Sequence, residues 1–187
     1  MIDVNNILFV PRTGDEVEHA THGNVPIYLY SELCKKMKES HGHPERVIQD
    51  MLKHSLKNFI LIQNPRKMNS GHWTSLSANP HKREIYFFSS YGGRPDEEKN
   101  QWISPQGRVL SGQDANLLND GLKKLMTQQG WTIHYNQYPY QRKGDKTATC
   151  GIWTAAFLNS NLNPDDFFQH CVKYNINGID LYKKYFL

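Results

Sequence analysis

The sequence predicts an α+β domain with a central, mostly antiparallel sheet and a buried central helix. Two strand-like segments, residues 72–78 and 84–89, are joined by the turn-like sequence NPHKR, which is typical of a hairpin. Amphipathic helical patterns precede and follow these strands, as in α+β domains. Residues 151–159 (GIWTAAFLN) are apolar on nearly all sides, which indicates a helix enclosed by the core.

The N-terminal half predicts two helices followed by a strand. Ser31 is a candidate cap for a helix through Met37, because its hydroxyl can accept from free N–H groups of the first turn. Pro44 opens a second helix. Its inward positions recur at helical spacing: Val47, Met51 and Leu52 or Leu56. The apolar run at 58–63 (NFILIQ) is typical of a buried strand.

The C-terminal half predicts a loop, a helix and a strand before the central helix. Residues 91–98 (YGGRPDEE) indicate a loop, and residues 131–138 alternate as a strand does. Residues 114–129 indicate a helix with four inward leucines: Leu117, Leu118, Leu122 and Leu125. A further helix starts at Asn163 or Pro164.

The composition is that of a globular chain and excludes several protein classes. The 187 residues are 38% hydrophobic and 12% aromatic, with a net charge of +4, and we expect one domain spanning residues 1–187. No run approaches the roughly 18 apolar residues that a membrane span needs. The N-terminus lacks the pattern of a signal peptide. We therefore expect neither a membrane protein nor a collagen, a coiled coil or a secreted disulfide scaffold.

The cysteines point to a reducing compartment and to one candidate nucleophile. Cys34, Cys150 and Cys171 are an odd set without a C-x-x-C pair, and no Cys/His spacing predicts a metal site. Cys150 stands directly before the apolar helix, where the helix dipole and free N–H groups stabilise a thiolate. Gly151 would let another backbone approach the sulfur. The alternative, with equal weight, is that Cys150 is a buried cysteine that caps a core helix. Cys34 and Cys171 lie within helical patterns, and we expect both to pack in the core.

His72 is the strongest candidate for a base that activates this thiol. It opens a predicted strand and is followed by Trp73. Because successive strand side chains face opposite sides, one of the two is buried while the other presents its ring at the start of the strand. A surface histidine on a strand is the ordinary alternative.

A basic stripe lies on the two N-terminal helices. Residues 34–67 carry eight Lys or Arg against three acidic residues. The stripe is either a solvated helix face or a surface for phosphates. Its members are Lys35, Lys36, Lys38, Lys53 and Lys57.

Four motifs occur in an order that resembles the adenain and ubiquitin-like-protease superfamily of cysteine proteases. They are GHW at 71–73, a strand–turn–strand ending in FFSSYGG, Gln141, and CGIWTAAFLN from Cys150. The resemblance covers residues 58–160, and the small basic chain is similar to viral capsid-maturation proteases, including virophage proteases of the mavirus type. It implies a papain-like, adenain-like fold whose central helix carries the nucleophile.

The resemblance also implies a role for each matched residue. Cys150 would be the nucleophile that attacks the scissile carbonyl and forms a thioester. His72 would pair with it as imidazolium and protonate the leaving amine. Gln141 and the backbone N–H of Cys150 would stabilise the oxyanion. Trp73 would form a wall of the substrate site, with Gly151, and hold the ring of His72.

The chain departs from the superfamily pattern at two positions. The third catalytic position falls on Ser89, where the superfamily has Asp, Glu or Asn; Asp96, seven residues later, is the alternative. Gln141 precedes Cys150 by nine residues, a longer separation than usual, with the extra residues in RKGDK. Gln137 is the alternative to Gln141.

The resemblance implies a thiol endopeptidase that cleaves capsid or other virion precursor proteins after small residues, often Gly. It implies no required cofactor, leaves DNA and a peptide open as activators, and places the enzyme in the virion and the host cytoplasm, away from membranes. The alternatives are a ubiquitin-like-modifier (SUMO-type) protease, an acetyltransferase that uses coenzyme A, and a non-catalytic basic binding module.

Overall fold

A five-stranded mixed sheet forms the centre of the fold. The computed structural model describes residues 10–65, 71–141 and 148–187. The strands lie side by side in chain order: β1 (Ile27–Leu29), β2 (Lys57–Gln63), β3 (Gly71–Asn79), β4 (Glu84–Ser89) and β5 (Thr132–Tyr135). Strands β2–β3 and β3–β4 pair antiparallel, whereas β1–β2 and β4–β5 pair parallel. The expectation of a mostly antiparallel sheet is therefore wrong at the edges, where helical crossovers connect the neighbouring strands.

Nine helices occur in the described residues, and the predicted α+β class is confirmed. They are α1 (Gly14–Ala20), α2 (Tyr30–Glu39), α3 (Pro44–His54), α4 (Glu97–Trp102), α5 (Pro105–Leu110), α6 (Leu117–Gln129), α7 (Cys150–Ser160), α8 (Pro164–Lys173) and α9 (Gly178–Tyr185). None of the described helices is long and apolar enough to cross a membrane.

The predicted helix starts are correct for α3 and α8 and wrong for α2 and for α6, which begins at Leu117 and not at residue 114. Helix α3 begins at Pro44, and α8 begins at Pro164 with Asn163 as its cap. Helix α2 instead begins at Tyr30, with Leu29 before it and no side-chain cap. The chain passes directly from strand β1 into this helix, so Ser31 lies inside the first turn. Leu56, an alternative inward position of α3, is 46% exposed.

The sheet separates two apolar layers, because successive strand residues face opposite sides. On one face, Phe59, Trp73 and Phe88 pack against the central helix α7. On the other face, Ile60 and Leu76 belong to a second core that includes the inward leucines of α6 and residues of α2 and α3. Each large apolar side chain buried in this way contributes about 1.5–3 kcal/mol.

Helix α7 is enclosed as the sequence predicts and fixes the position of Cys150. Its residues 150–158 are all buried. The Thr154 hydroxyl donates a hydrogen bond to the carbonyl oxygen of Trp73, 3.1 Å away, which ties α7 to the start of β3. Cys150, the first residue of the helix, is thereby held next to the beginning of that strand.

Candidate active site

A cleft of about 880 Å³ opens at the N-terminal end of α7. Its walls come from the segment before α1, the start of β3, helix α4 and the segment before α7. Residues that bear on its chemistry are Arg12, Trp73, Tyr91, Trp102, Gln141 and Cys150. Cys150 is 8% exposed, so its thiol lies at the bottom of this cleft.

The imidazole of His72 lies between the carboxylate of Glu98 and the thiol of Cys150. His72 pairs with Ile62 of β2, and its side chain is only 1% exposed. Its Nε2 atom lies 2.6 Å from Oε2 of Glu98 and 3.0 Å from the hydroxyl of Ser89. Its Nδ1 atom has no hydrogen-bonding partner among the described residues, while the ring interacts with the Cys150 thiol. Nδ1 is therefore the nitrogen available to the sulfur.

The carboxylate beside His72 belongs to Glu98, which the sequence did not single out. Ser89, the first candidate for this position, is completely buried and lies between the two. Its hydroxyl donates to Oε1 of Glu98 and accepts from the backbone N–H of Tyr91. Ser89 thus touches the imidazole but also orients the carboxylate that supplies the charge.

Asp96, the alternative candidate, faces a different part of the molecule. Its Oδ2 atom accepts from the backbone N–H of Asn119, 2.8 Å away, and its Oδ1 atom lies 3.5 Å from Nζ of Lys99. Asp96 adopts a left-handed conformation (φ 71°) immediately before α4. It therefore shapes the entry into the helix that carries Glu98.

Helix α4 is fixed on both sides of Glu98. Lys99 is fully buried and donates from Nζ to the carbonyl oxygen of Ala115, 2.6 Å away. On the other side, a Cβ atom on Gly93 would lie 2.5 Å from Oε1 of Glu98, so only glycine leaves room for the carboxylate. The backbone N–H of Gly93 also donates to Glu98.

Two aromatic rings hold the imidazole of His72. The ring centroids of Tyr91 and Trp102 lie 4.9 and 5.0 Å from that of His72, and 4.9 Å from each other. Trp73, expected to hold this ring, lies on the opposite face of β3 instead. Its indole N–H donates to the carbonyl oxygen of Arg12, 2.9 Å away, so it does form a wall of the cleft.

The electrostatics of the site favour a thiolate–imidazolium pair. Burial opposes a charge on His72, but the neighbouring Cys150 thiolate and Glu98 carboxylate, which are hydrogen-bond acceptors with negative charges, outweigh burial and raise the pKa of His72 to about 9. Burial also opposes a thiolate, yet the hydrogen bond and positive charge of His72, with backbone N–H groups of Trp73 and Gly151, lower the pKa of Cys150. Glu98 is held ionised in the same way, because His72 outweighs burial and lowers its pKa.

Gln141 places an amide donor at the same cleft. The side chain is 6% exposed, and its Oε1 atom accepts from the hydroxyl of Thr149, 2.5 Å away. Its Nε2 atom is buried and has no partner among the described residues. Gln137, the alternative, is exposed and lies outside the described lining of the cleft. The RKGDK segment between Gln141 and Cys150 lies outside the described residues.

Gly151 has a packing role in addition to its expected place in the substrate site. A Cβ atom there would lie 2.9 Å from Cβ of Arg12 and 3.1 Å from Cδ1 of Trp73. Because Gly151 has no side chain, the segment before α1 packs directly against the start of α7. In this structure the close neighbours of Gly151 are these two side chains.

The remaining sequence candidates lie apart from this cleft. Cys34 and Cys171 are buried, and all three cysteines are unbridged. Across residues 10–65, 71–141 and 148–187, no group of three His, Cys, Asp or Glu is placed to hold a metal ion. In the basic stripe, Lys35 and Lys36 are exposed on α2, and Lys38 pairs with Asp114 at 2.6 Å. Both interpretations of this stripe, a solvated helix face and a surface for phosphates, stay predictions.

The comparisons with known proteins indicate a virophage relationship. No protein-family profile matches the chain. The chain is 34% identical over 90 residues to "Uncharacterized protein V9" of Sputnik virophage. The match covers 46% of this chain and 46% of that protein, so the chain spans about half the length of this relative.

Proposed function

We propose that the protein is a cysteine endopeptidase that cleaves virion precursor proteins. The observation that carries the proposal is the buried ring of His72, held between the thiol of Cys150 and the carboxylate of Glu98 at the bottom of a cleft. A thiol and a base within reach, with the base oriented by a third group, are the parts that nucleophilic catalysis requires.

The first half of the reaction uses the ion pair and two donors. The Cys150 thiolate attacks the scissile carbonyl carbon, and the electron pair of the C=O bond moves to the oxygen. The Nε2 amide of Gln141 and the backbone N–H of Cys150 donate to this oxyanion. The C–N bond then breaks, the His72 imidazolium protonates the departing amine, and an acyl thioester of Cys150 remains.

The second half of the reaction regenerates the thiolate–imidazolium pair of Cys150 and His72. Neutral His72 takes a proton from a water molecule as this water attacks the thioester carbonyl. The carboxylic acid product departs and the thiolate is restored beside the imidazolium. Glu98 stabilises the charged ring in both halves, which Ser89 alone could not do because a hydroxyl carries no charge. Ser89 holds the carboxylate in place.

The proposed substrate class rests on the resemblance to capsid-maturation proteases, and the virophage relationship supports it. Capsid or other virion precursors cut after small residues, often Gly, are the proposed substrates. No cofactor takes part in the steps above; DNA or a peptide as an activator is a hypothesis. The proposal places the enzyme in the virion and the host cytoplasm, where its unbridged thiols stay reduced.

Cleavage of candidate virion precursor proteins tests the reaction directly. Wild type should generate new N-termini that follow small residues, as read by N-terminal sequencing. Cys150→Ala should generate none while it keeps the wild-type circular dichroism spectrum, and Cys34→Ala, a change in the core on the other face of the sheet, should cleave as wild type does. Cleavage by folded Cys150→Ala would overturn the assignment. Cleavage of a Gly-Gly-tailed modifier but of no virion protein would favour the modifier protease.

Thiol labelling separates an enzyme from a non-catalytic binding module. Burial raises the pKa of Cys34 and of Cys171 to about 11, whereas His72 lowers the pKa of Cys150. Only the thiolate reacts with iodoacetamide. Near pH 7, mass spectrometry should find Cys150 labelled well before the other two. Equal, slow labelling of all three would favour the binding module.

A further inference from the structure

Trp102 lies one helical turn after Glu98 in α4, so the two side chains leave the helix on the same face. Both of them reach His72. Oε2 of Glu98 lies 2.6 Å from Nε2 at the edge of the imidazole, and the indole of Trp102 lies beside the ring, with 5.0 Å between the centroids and an angle of 45° between the planes. One turn of α4 thus brings a carboxylate and an aromatic ring to the same imidazole.

The imidazole is covered although the cleft beside it is open. Trp102 is 36% exposed and lines the cleft together with Tyr91, whereas the side chain of His72 is almost completely buried. The rings of Tyr91 and Trp102 contact each other as well as the imidazole, with 4.9 Å between their centroids. The two rings therefore form a continuous aromatic cover between the cleft and His72, and Trp102 is its exposed half.

An aromatic cover suits an imidazole that carries a positive charge. The ionisable groups that face this ring are the thiol of Cys150 from α7, the carboxylate of Glu98 from α4 and the phenol of Tyr91 after β4. A cation within about 6 Å of an indole centroid is attracted by its π electrons, and the attraction is stronger for Trp than for Tyr or Phe. With water kept away from the ring, the charges of Cys150 and Glu98 also act on it more strongly, because they are screened less.

We propose that Trp102 is a positioning residue for the His72 imidazolium: its indole keeps the water of the cleft off the ring and stabilises the positive charge between Cys150 and Glu98. This inference rests on the proposed endopeptidase function. Trp102 takes no part in bond making and acts only through His72. The reaction needs a fixed ring, because the imidazolium that pairs with the sulfur must also deliver its proton to the departing amine.

Three variants test this role. Trp102→Leu keeps an apolar side chain but removes the π electrons, whereas Trp102→Phe keeps an aromatic face. Trp131→Leu is the matched control, because Trp131 is also partly exposed but lies near Arg83 at the opposite end of β4. Iodoacetamide labelling of Cys150 between pH 5 and pH 9, read by mass spectrometry, follows the thiolate without a substrate. Urea unfolding checks that each variant folds, and kcat and KM are measured on a peptide that wild type cleaves.

Trp102→Leu should move the labelling profile of Cys150 to higher pH by about half a unit, because the imidazolium that stabilises the thiolate loses its π partner. It should also lower kcat about tenfold, and more than it raises KM. Trp102→Phe and Trp131→Leu should stay close to wild type.

A profile of Trp102→Leu that coincides with the wild-type profile would overturn the role of Trp102. An equal shift in Trp102→Phe or in Trp131→Leu would overturn it as well, because the shift would then not depend on an aromatic face beside His72. A wild-type protein that cleaves neither a library of proteome peptides nor virion precursors would instead overturn the endopeptidase. The two failures are distinguishable, since the labelling comparison needs no substrate.

Discussion

Nε2 of His72 and Oε2 of Glu98 lie 2.6 Å apart, with side chains that are 1% and 4% exposed. Glu98 follows Ser89 by nine residues and reaches the imidazole from a short helix outside the sheet. Ser89, at the end of β4, has no charge, and Glu98 of α4 supplies the negative charge beside the imidazole instead. The hydroxyl of Ser89 contacts both His72 and Glu98.

Replacing Glu98 should weaken the thiolate–imidazolium pair. Glu98→Gln removes a hydrogen-bonding charge that raises the pKa of His72, so this pKa falls and that of Cys150 rises. We expect kcat/KM at pH 7 to fall about 10²-fold, at the low end of the contribution of acid–base catalysis. The iodoacetamide labelling profile of Cys150 should shift to higher pH. Glu97→Gln, the same change at the exposed neighbouring position, should alter neither measurement.

Ser89→Ala should reduce activity less than Glu98→Gln, because it removes the hydrogen bonds of one hydroxyl, to Glu98 and from the backbone N–H of Tyr91, and leaves the charge. Each such bond contributes about 1 kcal/mol, or about fivefold. A larger effect from Ser89→Ala than from Glu98→Gln would show that the hydroxyl, and not the carboxylate, is the essential partner of His72.

Glu98 should also make the fold sensitive to acid. Burial opposes the ionised form of Glu98, but His72 outweighs burial and lowers the pKa of this carboxylate in the folded state. As the pH falls through about 4.3, the unfolded chain therefore takes up a proton at Glu98 before the folded chain does. This stabilisation is present above the unfolded pKa and is lost as the pH falls through the folded one. Between about pH 5 and pH 3, urea unfolding should show a steeper loss of unfolding free energy for wild type than for Glu98→Gln. Parallel curves would contradict the ionised carboxylate.

Removing the amide of Gln141 should slow catalysis without changing the nucleophile. Gln141→Ala should lower kcat about 10²–10³-fold, as the loss of one oxyanion donor typically does, while Cys150 is labelled at the wild-type rate. Gln137→Ala provides the control, because that side chain is exposed. A larger loss from Gln137→Ala would transfer the oxyanion role to that residue.

Gly151→Ala should reduce stability because no space exists for the added methyl group. Its Cβ would meet Arg12 at 2.9 Å, and we expect the unfolding free energy to fall by about 1–3 kcal/mol, as for other overpacked sites. Urea unfolding measures this loss. Unchanged stability with lost activity would instead indicate that Gly151 contacts the substrate.

Elements with a strong local pattern could be predicted from the sequence. The hairpin of β3 and β4 has alternating strands and a polar turn, and α3 begins at a proline before a regular apolar face. Helix α7 is apolar on every side and is buried on every side through Leu158. The position of His72 at the start of β3 and of Cys150 at the start of α7 followed from these same patterns.

The partners of His72 could not be predicted in this way, because they come from short elements that long-range contacts place. Helix α4 has six residues, too few for an apolar period, and its acidic first turn was the available signal. Tyr91 and Trp102 are separated by eleven positions and meet only when α4 folds back over β4. For helix α1, by contrast, the sequence does contain a pattern that predicts the start of a helix, the capping box of Thr13 and Glu16, although no helix was predicted there.

His72, Glu98 and Cys150 come from three separate elements that meet only in the assembled molecule. A chain that is still emerging from the ribosome, in which His72 does not yet lie beside Cys150, carries Cys150 as an ordinary thiol, protonated at neutral pH. The lowered pKa of Cys150 thus depends on the completed fold and not on the residue alone. Newly made chains therefore carry no thiolate at Cys150 until folding brings His72 beside it.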